Sequence, residues 1–99
     1  MTADHVRRLA LSLPETIEQG HHGRPSFRVN GRIIATLWTP EELNVMADES
    51  RILSAVDEAP GVCSKVLWGG HLTAVKVRLP EADPELVEDL LMDAHARRA

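Results

Sequence analysis

Asn30-Gly31 constrains this chain more tightly than any other dipeptide in it, because a type I′ turn needs two successive positive φ angles and Asn-Gly supplies both at least cost. Phe27, Arg28 and Val29 precede it and Arg32 to Trp38 follow, so the pattern predicts a β-hairpin. A two-residue loop sets Val29 opposite Arg32 and Phe27 opposite Ile34, which places Ile33, Ala35 and Leu37 on the other face. Both faces are then partly apolar. Either the second strand is central and covered on both sides, or the turn is longer and the register shifts.

The remaining elements follow from periodicity and breakers. Val6, Leu9, Ala10 and Leu13 repeat at helical spacing up to Pro14 and predict a helix over 3–12. Thr16 to Gln19 is a candidate strand, and Gly23 and Pro25 mark His-His-Gly-Arg-Pro as a connection. Leu43 to Ala47 reads as a short strand; Asp48 can cap a helix with Ile52, Leu53 and Val56 inward, ending before Pro60-Gly61. Val62 to Trp68 is a strand broken by a turn at Gly69-Gly70. Leu72 to Leu79 alternates, with Val75, Val77 and Leu79 on one side and Lys76 and Arg78 on the other. Asp83-Pro84-Glu85 starts a last helix that buries Val87, Leu90, Leu91 and Ala94. A chain of 99 residues has room for one core. The expectation is one α+β domain over 1–99, an antiparallel sheet with helices on one face, since such short connections make no crossovers.

Ala10-Leu-Ser-Leu-Pro14, then Gly23-Arg-Pro-Ser-Phe-Arg-Val-Asn-Gly-Arg32 running into Ile33 to Leu37, resemble the opening of MmcQ/YjbR-type proteins. Trp68-Gly69, the strand ending in Leu79-Pro80 and the closing Asp-Pro-Glu-Leu helix are similar to the same family, so the resemblance spans nearly the whole chain. It implies a frataxin-like, double-wing arrangement and a DNA-binding role in a small bacterial-type protein, with no catalytic constellation to bring across. The family's aromatic residue in the last helix has no counterpart near His95.

The net charge of −4 excludes a uniformly basic nucleic-acid binder, so DNA binding requires charge segregation. Residues 1–37 hold five arginines against three acids, whereas 38–99 hold six basic side chains against twelve acids. Arg24, Arg28 and Arg32 lie on or beside the hairpin, and Lys76 and Arg78 line the wet side of the last strand. Together they are the candidate phosphate contacts for double-stranded DNA bound with little sequence preference. Edge-protecting charge is the plainer account of hairpin arginines. The alternative is a protein-interaction or small-ligand module, including a homodimer, built on Ile33, Ala35 and Leu37.

Nothing points to an enzyme. His21, His22, His71 and Cys63 lack the close spacings of zinc ligands, adjacent histidines in a strand face opposite ways, and Cys63 reads as a buried thiol. No phosphate loop, dinucleotide fingerprint or nucleophile elbow occurs, so no metal or cofactor is expected. Trp38 and Trp68 read as core or rim plugs. The polar start of the chain and the single cysteine lead to an expectation of a cytoplasmic protein without a membrane span.

Overall fold

The computed structural model describes all 99 residues. The elements are α1 (Ala3–Ser12), β1 (Ile17–His21), β2 (Arg24–Val29), β3 (Arg32–Thr39), β4 (Glu42–Met46), α2 (Glu49–Glu58), β5 (Cys63–Trp68), β6 (His71–Arg78), a 3-10 turn (Leu79–Glu81) and α3 (Pro84–Arg98). The strands form one antiparallel sheet in the order β1-β2-β3-β4-β6-β5. The α+β reading therefore holds, with four strands before α2.

Asn30 and Gly31 have φ of 52° and 74° and join β2 to β3 by a two-residue turn. Two more hairpins use the same device: His22 and Gly23 (52° and 79°) join β1 to β2, and Gly69 and Gly70 (58° and 80°) join β5 to β6. The supposed connection over His21 to Pro25 is thus mostly strand. A non-glycine residue at positive φ, His22, hid it from the turn signals.

Neither register alternative for the Asn-Gly hairpin occurs. Val29 does face Arg32, but the pairing then slips by one residue, so that Arg28 faces Ile33 and Phe27 faces Ala35. Ile34 is the extra residue of a β-bulge, and a bulge lets two successive side chains lean to one side. Ile34, Ala35 and Leu37 all join the buried core with Phe27 and Val29, and only Ile33 stays on the other face. The proposed apolar patch of Ile33, Ala35 and Leu37 therefore does not exist.

The core lies between the sheet and the three helices, with Leu43, Val45, Val75 and Val77 meeting Val6, Ala10, Ile52, Ala55, Val87, Leu90, Leu91 and Ala94. All four expected α3 residues are buried; in α2, Ala55 rather than Leu53 completes the inward stripe. Thr2, Asp48 and Asp83 cap the helices by accepting from the amides of His5, Arg51 and Glu85. Arg7 of α1 clamps Glu18 of β1 through Nε at 2.7 Å and also reaches Asp4 at 2.9 Å, which removes it from the free positive charge. No helix is long and apolar enough to cross a membrane.

Phe27→Ala is expected to cost about 3–5 kcal/mol, because a fully buried ring would leave a cavity. Gly31→Ala should cost about 1–2 kcal/mol from the left-handed backbone alone, since no atom lies within 4 Å of an added Cβ. Urea unfolding of the two variants checks the ranking.

Candidate functional site

With the helices on one side, the other face of the sheet is left open. Strand pairing lines up a polar row across all six strands on it: Gln19, Ser26, Thr36, Asn44, Lys76 and Ser64. A row on one side of it brings His21, Arg24 and Trp38 together; a row on the other holds Arg28, Ile33, Met46 and Ala74. A cavity of about 670 Å³ sits over this face, lined from β1 and its turn (His21, His22) across to β5 (Trp68). Thr36, Asn44, Met46 and Ala74 of the central strands form its floor. That volume lies in the range of small-molecule sites.

Trp38 occupies a second irregularity of β3, where Leu37 pairs with Leu43 but Thr39 with Glu42. Arg24 donates from Nε to the Trp38 carbonyl at 2.8 Å, and its guanidinium lies 3.8 Å from the ring centroid. Lys76 brings Nζ to 5.6 Å of the same ring. Such cation–π contacts contribute about 0.5–1 kcal/mol each at exposed sites; here they hold two charges over the open face. Trp38 and Trp68 are 39 % and 56 % exposed, so both are rim residues and neither fills the core.

Arg28 runs back along its own strand, donating from Nε to Ser26 Oγ at 3.4 Å and from Nη2 to His21 Nδ1 at 3.2 Å. Accepting at Nδ1 requires a neutral imidazole with its proton on Nε2. The surroundings act in the same direction, lowering the His21 pKa from its ordinary 6.5, first through partial burial, then through His22 and Arg28. Both histidines line the cavity, rings 4.3 Å apart, because His22 sits in the turn rather than in the strand.

Of the five expected contacts, the structure brings together Arg24, Arg28 and Lys76. Arg32 lies elsewhere: paired with Val29, it belongs to the helix side, where its charge and that of Arg97, behind the larger effect of burial, lower the pKa of Arg98. Arg78 does lie on the open face but is paired with Glu81 at 3.0 Å, opposite Glu42. Cys63 is buried against Val77 on the helix side of β5, where burial foremost pushes its thiol pKa up; His21 and His22 are at the opposite edge of the sheet. No group of three potential metal ligands converges.

The model of the YjbR family matches residues 11–97. The chain belongs to the YjbR family. The match takes in every strand of the sheet and almost all of α3, so the open face is part of the family fold rather than an addition to it. No curated protein and no solved structure matches the chain.

Asn44 escaped sequence reasoning. Only 7 % exposed, it forms no side-chain hydrogen bond, and its Oδ1 is sealed without a donor. An unmet buried acceptor costs about 1–3 kcal/mol. A polar residue between Leu43 and Val45 in a central strand was the available signal, since alternation turns it away from the core they enter.

In an NMR titration the His21 ring should protonate below 6.5, and Arg28→Ala should move its midpoint upward by removing a nearby charge and a donor to Nδ1. As the unfolded chain binds this proton more readily, acidification from the unfolded pKa down through the folded one should lower stability.

Proposed function

We propose that this protein is a non-catalytic DNA-binding module that takes the nucleic-acid backbone on the open face of its sheet. Charge segregation carries the reading. The strands hold six basic side chains against two acids, while helices, caps and loops hold five against thirteen. Of the two strand acids, Glu18 is on the helix side bonded to Arg7, and Glu42 stands beside Arg78. The deficit of −4 is therefore carried by the helical layer and the loops, and Arg24, Arg28 and Lys76 face solvent with no acid bonded to any of them.

An acidic protein can bind phosphates when one face is cationic, because exposed charges more than about 10 Å away are largely screened at 0.1 M salt. Two of the three cations, Arg24 and Lys76, flank the exposed Trp38 ring, an arrangement that nucleic-acid backbones and bases use together. Without a recognition helix in a groove, binding should show little sequence preference. The buried free thiol of Cys63 fits a cytoplasmic setting. The same cavity supports a second reading, a small-ligand module, which differs in having little salt dependence.

Fluorescence anisotropy of labelled DNA between about 50 and 200 mM salt separates the two. The triple variant Arg24→Ala, Arg28→Ala, Lys76→Ala should flatten the log–log salt slope by about 2–3, at roughly 0.7–0.9 per phosphate contact. Arg32→Ala should leave the slope unchanged. Equal slopes for wild type and triple variant would contradict the assignment of these three residues.

A further inference from the structure

Resting on the DNA-binding reading, we propose that the cavity is a subsite for one unpaired nucleobase, which Asn44 holds by its Watson–Crick edge and Trp68 by stacking. The face thereby selects single strands over duplex.

The first observation is Asn44. Its Oδ1 is one of two buried side-chain polar atoms without a partner, the other being Thr16 Oγ1, which does not line the cavity. Its carboxamide stands on the cavity floor between Thr36 of β3 and Lys76 of β6. A carboxamide carries an acceptor and two donors side by side. Oδ1 is covered in the free protein, so engaging a base requires the side chain to change rotamer and turn its amide edge into the cavity, where a half-turn about the last bond exchanges acceptor and donor. Each of the four bases presents an N–H donor beside an acceptor on its Watson–Crick edge: N6–H and N1 in adenine, N4–H and N3 in cytosine, N1–H and O6 in guanine, N3–H and O4 in thymine. One amide can pair with any of them, so the subsite tolerates all bases. It cannot take a paired base, whose edge is already bonded.

The second observation is the lining. Ile33, Met46 and Ala74 supply apolar contact, and Trp68 projects from the far edge strand without the cation that Trp38 carries. One ring is committed to positioning charge and the other is free to stack. Arg24 and Lys76 at Trp38 mark where the flanking phosphates of a base held this way would lie. The cavity of about 670 Å³ accommodates a base and its sugar, whereas a duplex would offer it only a backbone.

The test compares binding of a short oligothymidine, the same strand carrying 3-methylthymine, the same strand with abasic sites, and a duplex, to wild type, Asn44→Leu and Trp68→Ala. Wild type should prefer the unmodified strand by about tenfold over the methylated and abasic strands and the duplex. Asn44→Leu should erase the preference over 3-methylthymine while keeping the salt slope. Trp68→Ala should weaken the unmodified strand and leave the abasic one unchanged, and it serves if Asn44→Leu fails to fold. Equal wild-type affinity for unmodified and abasic strands, or a methylation penalty that survives in Asn44→Leu, overturns the base subsite while leaving the DNA reading intact. Absence of salt-dependent binding to every strand overturns the DNA reading itself.

Discussion

Ile34 and Ala35 are consecutive and both fully buried, and a regular strand cannot send two neighbours into the same core. The bulge at Ile34 resolves this by inserting one residue into β3 opposite Phe27 and Arg28. The Asn30-Gly31 turn fixes the register at one end of the hairpin, and the bulge resets it partway along. Without the reset, Ala35 and Leu37 would leave the helices and face solvent. The core beneath α1, α2 and α3, and the freedom of the opposite face, both rest on that one extra residue.

A sheet covered on one side only divides its chemistry between two faces. Apolar side chains of β2, β3, β4 and β6 serve the helices, and the alternate positions are left for polar, aromatic and cationic groups. Acids concentrate where they cap helices, end them or solvate their outer faces, so the negative total and the positive sheet have a common origin in the layering. The second irregularity of β3, at Trp38, sets a ring under Arg24 and near Lys76 and so fixes charge in place. Arg28, Ser26 and His21 form a further chain of hydrogen bonds along the same face, in which the imidazole accepts at Nδ1.

Much of this was legible in the residues. Helix starts at Asp48 and Asp83, the buried stripe of α3 and the alternation of β6 are local signals, and each appears where periodicity put it. The family was legible as well, because the stretch from Gly23 to Leu37 is a long, ordered pattern. What could not be read was any consequence of an irregularity. A bulge leaves no mark in a binary pattern, so the faces of Ala35 and Leu37, the residues beyond it, came out wrong together. His22 at positive φ concealed the first hairpin. Asn44 became visible as a site residue only when cross-strand neighbours placed it on a cavity floor, since alternation with Leu43 and Val45 gives its face but not the cavity above it. Arg24, Arg28 and Lys76 were found from their charge and their places on the hairpin and on the wet side of the alternating strand; that Arg32 and Arg78 stand apart is a matter of pairing with other residues.

The proposed nucleic-acid surface is the open face of the sheet. Amide and indole chemical-shift mapping of the protein against unlabelled oligothymidine tests it most directly. The shifts should gather on Arg24, Arg28, Thr36, Asn44, Lys76 and the indole N–H groups of Trp38 and Trp68, with α1, α2 and α3 undisturbed. Shifts that gather on the helices, or on Arg32 and the helix side of the hairpin, would contradict it.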